Sequence, residues 1–332
     1  MQRRTRLAAL ALGAAAPVAL VTVARRRADP AQSRTLLPPE ALADDDSTFI
    51  DVDGLRVHAK VAGQGDPTVV LIHGFAAGAF IWRQVMPPLA RRGTVVAFDL
   101  PGFGLTARPA PDAWPRGNPY DPEVQADLTV ALLDRLGIDR AVLVGHSAGA
   151  RVAMLAALRY SERVSGLVLV TPALDPPSLR RSLALLVRAP ALDRLLPRVA
   201  QSASARAAYI LRYAVYDRAV VTDELVKAYL TALQVDGWDA ALACAVRAAR
   251  PLGLLDRFGE LQVPFMAIFG MYDRIVNPRQ VVRMTTVPDL FMFVFMEHTG
   301  HLPQVEKPED FVDFIEDFLN HLEQRASERS TS

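Results

Sequence analysis

One cysteine, Cys244, in 332 residues leaves no intrachain disulfide and no metal site built on thiolates. Neither sign of charge is in excess, since 37 Lys and Arg stand against 36 Asp and Glu for a formal net charge of +1. Nucleic acid would want a strongly basic face, so it is not expected as a partner. Internal repeats and disorder are also not expected. With 51% hydrophobic and 22% charged residues, the chain can bury a sizeable core as one large α/β domain, with or without an insertion.

What the chain does have, at its start, is a long apolar run. Arg3, Arg4 and Arg6 precede Leu7–Ala24, which is closed by Arg25-Arg26-Arg27. About 18 apolar residues sit at the lower edge of a membrane-spanning helix and above the usual core of a cleaved signal peptide. Residues 1–27 are therefore expected to be a membrane anchor or an export signal, and residues 7–24 to carry any membrane association. An anchored or exported protein follows, rather than a cytoplasmic one. Residues 28–46, with Pro30, Pro38, Pro39 and Asp44-Asp45-Asp46, look like a linker, and the folded body is expected from Ser47.

From Thr48 to Val61 β-rich segments surround Asp53-Gly54, a hairpin signal. Short apolar runs typical of strands covered on both faces follow at Thr68–Ile72, Thr94–Phe98, Ala141–Val144 and Gly166–Val170. Helical segments separate them, at about Ala79–Arg91, Glu123–Leu136 and Ala150–Leu155. That alternation predicts a parallel, doubly covered sheet. It stops at Asp175. Residues 175–250 show helical spacing and eleven Lys and Arg against seven Asp and Glu, and are expected to form an inserted helical cap. The sheet pattern resumes at Val263–Phe269 and Leu290–Phe295, with Pro278 opening a helix between them. A final amphipathic helix carries Phe311, Phe314, Ile315, Phe318 and Leu319, and residues 324–332 read as a polar tail.

The stretch with most chemistry is Gly145-His146-Ser147-Ala148-Gly149, which reads strand, sharp turn, helix. Small neighbours make room for a strained central residue and leave its hydroxyl next to the free amides of a helix start. Ser147 is the candidate nucleophile. A serine needs a base, and the base an acid. Parallel strands deliver loops to one sheet edge, where Asp273 and His301 can converge on Ser147. His298, on the same loop as His301, is the rival base; Asp175, at another strand end, is the rival acid. His58 and His321 are expected on the surface, and Asp99 to tie down its own turn. Amides of Phe75 and Ala148 would make the oxyanion hole, with His73 and Gly74 supporting that loop.

With those residues in place, the chain resembles the α/β-hydrolase superfamily, in the branch with a His-Gly oxyanion loop and a helical cap, from about Thr48 to Leu322. The resemblance rests on His73-Gly74-Phe75, Asp99-Leu100-Pro101-Gly102-Phe103-Gly104, the Ser147 pentapeptide, Gly270-Met271-Tyr272-Asp273-Arg274-Ile275-Val276 and Gly300-His301-Leu302-Pro303-Gln304-Val305-Glu306-Lys307-Pro308. It implies an α/β-hydrolase fold, Ser147 as nucleophile, Asp273 as acid, His301 as base, and no cofactor or metal. Ser147 stands where relatives that open epoxides or haloalkanes carry aspartate. The expected activity is hydrolysis of a carboxylic ester of an apolar small molecule or lipid through an acyl-enzyme. Two alternatives stay open: hydrolysis of a carbon–carbon bond in dienoic keto acids, and a non-catalytic ligand-binding protein on the same fold.

Overall fold

A computed structural model describes residues 36–175, 206–276 and 291–330. The backbone is organised on an eight-stranded sheet: β1 (Thr48–Val52), β2 (Leu55–Ala62), β3 (Val69–Ile72), β4 (Val95–Phe98), β5 (Ala141–His146), β6 (Val164–Val170), β7 (Phe265–Gly270) and β8 (Phe291–Met296). Their spatial order is β1-β2-β4-β3-β5-β6-β7-β8. β1 and β2 pair antiparallel, as do β2 and β4, and every later pair is parallel. This is the α/β-hydrolase architecture, a mostly parallel sheet flanked by helices.

Alternation along each buried strand sends neighbouring side chains into two separate cores. Val70, Ile72, Leu143 and Leu167 pack with Leu128, Leu132, Val152 and Leu155 on one face. Val69, Leu71, Val142 and Val168 pack with Trp82, Phe311, Ile315 and Phe318 on the other. The helices are α1 (Met86–Leu89), α2 (Pro122–Leu136), α3 (Ala148–Arg159), α4 (Ala207–Ala214), α5 (Asp223–Thr231), α6 (Trp238–Ala248), α7 (Pro303–Glu306) and α8 (Pro308–Ser330). α2 starts with Pro122 behind Asp121, whose carboxylate accepts the Glu123 amide, and stops at Gly137 in the left-handed region.

Some elements differ from what the sequence suggests. The helix expected over Ala79–Arg91 is broken into a 3-10 turn, Ala79–Trp82, and the single turn α1, because Pro87 and Pro88 lack the amides a continuous helix needs. α8 runs on through the expected polar tail to Ser330, over a stretch of good helix formers anchored where Arg92 meets Glu323 at 3.1 Å. Ahead of the expected start of the body, the Leu37 amide donates to the Gln234 carbonyl at 2.8 Å and the Asp236 amide to the Leu37 carbonyl at 3.3 Å, so residues within the expected linker already lie on it. From residue 206 to 250 the described part of the expected cap holds helices and 3-10 turns; residues 176–205, and the helix expected after Pro278, lie outside the described residues.

The anchored or exported placement is corrected. No helix among the described residues is long and apolar enough to cross a membrane. The apolar run at 7–24, on which that expectation rested, lies outside the described residues.

Position 149 tests how tightly α3 is pressed on the sheet. A Cβ there would lie 2.4 Å from the His73 carbonyl oxygen and 2.5 Å from that of Ile72. Backbone atoms cannot swing aside, so Gly149→Ala should lower stability by about 1–3 kcal/mol, read as a fall of several degrees in the thermal midpoint. An unchanged midpoint would show that β3 and α3 are free to separate.

Candidate active site

Six loops leave the carboxyl ends of the parallel strands on one edge of the sheet, and that edge holds the site. β5 ends at His146 and α3 begins at Ala148, so one residue makes the whole turn. Ser147 takes φ 52° and ψ −114° to do so. A side chain at Gly145 would sit 2.6 Å from the Ala150 Cα, which is why the turn needs glycine on both sides of the serine.

Ser147 Oγ lies 3.0 Å from His301 Nε2, and His301 Nδ1 lies 2.8 Å from Asp273 Oδ2. The other Asp273 oxygen accepts the amides of Ile275 at 2.7 Å and Val276 at 3.1 Å, which fixes the carboxylate in its turn after β7. A proton on Nδ1, directed at the carboxylate, leaves Nε2 to accept from the serine hydroxyl. His301 is held through its backbone as well. Its amide donates to the Ala214 carbonyl at 2.8 Å, and its carbonyl accepts from Thr171 Oγ1 at 3.1 Å and His146 Nε2 at 2.8 Å.

The amides of Phe75 and Ala148 have no partner among the described residues. His73, fully buried beneath that loop, directs Nδ1 at the Gly74 carbonyl at 2.7 Å and accepts the Leu100 amide on Nε2 at 2.9 Å. Both bonds suit a neutral ring, and burial lowers its pKa. Burial likewise holds His146 down at about 3. The Phe75 ring is half exposed and meets Phe103 edge-on at 5.4 Å.

The rival residues lie elsewhere. His298 is exposed, its ring against Tyr216 and Tyr272. Asp175 accepts the amides of Leu252, Gly253 and Leu255, tying β6's exit loop to the chain that leads into β7. His58 is not on the surface: it is 4% exposed, with Nδ1 2.7 Å from Asp99 and Nε2 2.9 Å from Ser47 Oγ. Asp99 also accepts the amides of Ala79 at 2.6 Å and Leu105 at 2.7 Å, so it braces the loop after β3 as well as its own turn. Burial is the largest influence on this carboxylate and works to raise its pKa, but the bond to and charge of His58, the charge of His73 and the Leu105 amide together outweigh it and hold the group below its ordinary value. The hairpin setting that suggested a surface His58 hid this, because β2 is covered by β4 and the turn after it.

Glu306 carried no role in the sequence reading. Its Oε1 accepts the amides of Gly300 at 2.9 Å and Leu302 at 3.2 Å, on either side of His301, and Oε2 accepts the Tyr216 amide at 2.6 Å. Burial raises its pKa. A glutamate five residues past a histidine, on a short helix opened by Pro303, is the only signal the sequence offered.

A serine hydroxyl, an imidazole and a carboxylate joined in line, beside unpaired amides at a helix start, can carry out acyl transfer. The family model described as alpha/beta hydrolase fold matches residues 67–308, and the chain belongs to that family. The 2-hydroxy-6-oxo-2,4-heptadienoate hydrolase of Pseudomonas putida is 29% identical, over 80% of this chain and 93% of its own. A meta-cleavage product hydrolase from Pseudomonas fluorescens IP01 is 25% identical with a TM-score of 0.66, covering 82% of this chain and 97% of its own. The crystal structure of a membrane phospholipase A, described as a bacterial virulence factor, is 26% identical with a TM-score of 0.65, covering 97% of this chain and 99% of its own. The protein is a hydrolase.

The buried His146 makes stability depend on pH. Between about 3 and its ordinary 6.5 the folded chain holds fewer protons at this ring than the unfolded chain does. Stability is therefore lost as pH falls through that window, by up to about 1.4 kcal/mol per pH unit. His146→Gln keeps an amide for the His301 carbonyl and removes the titration. The drop in thermal midpoint between pH 6.5 and 4.5 should be several degrees smaller in the variant, and equal drops would contradict a neutral buried ring.

Proposed function

We propose that this chain hydrolyses a carbon–carbon bond beside a ketone in a dienoic keto acid, with Ser147 as nucleophile, His301 as base and acid, and Asp273 as the group that orients and stabilises the imidazole. The observation that carries the catalytic part is the continuous line Ser147–His301–Asp273 at 3.0 and 2.8 Å. The names and coverage of the matched relatives favour this substrate class over an ester. Ser147 Oγ attacks the ketone carbon while His301 Nε2 takes its proton. The tetrahedral oxyanion is received by the amides of Phe75 and Ala148, with His73 and Gly74 holding the Phe75 loop in place. The bound dienol first tautomerises, its 2-hydroxyl proton moving to the carbon beside the ketone, so that collapse expels that carbon as an anion delocalised into the 2-oxo acid, and His301 returns the proton to the dienolate. Water, activated by the same ring, then frees the acyl group from Ser147. The helices of residues 206–250 serve as part of a cap over this edge.

Ester hydrolysis is the second reading. The same groups perform it, with an alcohol in place of the carbon fragment, and the likeness to the phospholipase over nearly the whole chain favours it.

A fluorophosphonate probe should label the wild-type serine and leave Ser147→Ala unlabelled. Absorbance assays on 2-hydroxy-6-oxo-2,4-heptadienoate and on p-nitrophenyl butyrate then separate the readings. The dienoate is expected to be turned over with the higher kcat/KM, and Ser147→Ala to lose about 10,000-fold or more. Activity on the ester alone would install the second reading, and a folded protein that neither labels nor turns over either compound would overturn both.

A further inference from the structure

The residue one helical turn beyond Ser147 on α3 is Arg151, on the same face of the helix. It is 9% exposed, and neither its Nε nor its Nη1 has a hydrogen-bond partner among the described residues. Buried guanidinium groups are ordinarily paired, because a desolvated charge with idle donors is strongly unfavourable. The carboxylates near enough to act on it are Asp175 and Asp121, with Arg250 opposing them. Both acids are engaged by other donors: Asp175 by the three amides of residues 252, 253 and 255, and Asp121 by the Glu123 amide and Arg250. They balance the charge of Arg151 without bonding it.

Arg151 is one of the residues that line the pocket beside the Ser147 turn. The lining includes Phe75 and Ala148, the two residues with unpaired amides, together with Phe103, Tyr120 and Gln125. The Tyr120 hydroxyl donates to the Pro109 carbonyl at 2.7 Å and Gln125 Nε2 to the Pro119 carbonyl at 3.2 Å, so their donors are engaged. Arg151 brings unused donors and a full charge to an otherwise aromatic and apolar wall.

We infer that Arg151 is the specificity-determining residue of this pocket, its buried and unpartnered guanidinium receiving a carboxylate of the substrate while the carbonyl to be cleaved sits at Phe75 and Ala148. The inference rests on the hydrolase reading of Ser147 and deepens it, because it requires an anionic substrate whichever bond is broken. A planar fork of N–H groups matches a carboxylate, and a charge-assisted bond in a desolvated wall is stronger than one in water.

Full-length Ser147→Ala protein, which binds without turnover, can be titrated with 2-hydroxy-6-oxo-2,4-heptadienoate and with its methyl ester. The acid should bind at least 10-fold more tightly than the ester. Adding Arg151→Met should abolish that preference, and Arg151→Lys should keep part of it. Active enzyme is asked the same question with mono-p-nitrophenyl glutarate and its methyl ester, where the ratio of the two kcat/KM values should fall about 10- to 100-fold in Arg151→Met. Should Arg151→Met fail to melt cooperatively, Arg151→Lys decides, since it keeps the charge and loses the fork. A preference for the anion that is absent from the start, that survives in folded Arg151→Met, or that is undiminished in Arg151→Lys, overturns the inference. Loss of labelling or turnover with the preference intact would instead strike the Ser147 reading and leave Arg151 standing.

Discussion

Everything at the site depends on how closely β5, α3 and the end of β3 approach one another. Contacts of 2.4–2.6 Å await any side chain at Gly145 or Gly149, so the backbone can pass from strand to helix in one residue only where side chains are missing. The same approach forces Ser147 to φ 52°. A non-glycine residue in that region is strained by about 1–3 kcal/mol, and such strain persists only where its surroundings over-determine it. Two packed cores, one on each face of β3 and β5, supply that determination. The geometry of the serine is thus a consequence of sheet packing, and the hydroxyl is held in place before any substrate arrives.

Three histidines around this turn are structural, and each works by being a neutral or paired ring. His73 spans the Phe75 loop and the Leu100 turn; His146 supports the carbonyl of His301; His58 and Asp99 tie β2 to the loops after β3 and β4. The rings of His73 and His146, their pKa lowered by burial, place hydrogen bonds without adding charge near His301, whose proton in the proposed chemistry moves between Ser147 and the leaving fragment. Had His146 carried a charge 5.0 Å from the His301 ring, it would oppose the imidazolium that acyl transfer creates. Burial that keeps His146 uncharged is therefore a condition for the chemistry proposed for its neighbour.

The sheet, its parallel strands and the residues that meet at its edge were legible because their signals are local: apolar runs of strand length, a glycine-flanked serine, and groups just beyond strand ends. Ser147, Asp273 and His301, far apart in sequence, lie on three such loops. What the sequence hid was decided by tertiary contact. His58 looks like a hairpin surface residue until β4 and its exit loop cover it, and Glu306 looks like an ordinary helix glutamate until α7 turns it under the His301 loop. The break within residues 79–91 follows from Pro87-Pro88, whose missing amides count for more than the apolar pattern around them.

Arg151 shows a further kind of residue that pattern reading passes over, because an arginine inside a helix is ordinarily a solvated one. On the sequence it is only the fifth letter from Ser147, but one turn of α3 brings it to the same pocket wall as the amides of Phe75 and Ala148. An oxyanion forming at those amides beside a substrate carboxylate would place two negative charges within the first turns of one helix. The positive end of that helix dipole meets the first. The guanidinium meets the second, and Asp121 and Asp175, engaged elsewhere, keep Arg151 charged without competing for its donors. A neutral residue at 151 would leave the two anions to repel one another as the barrier is climbed, so anion recognition and stabilisation of the reacting carbonyl are coupled through a single helix.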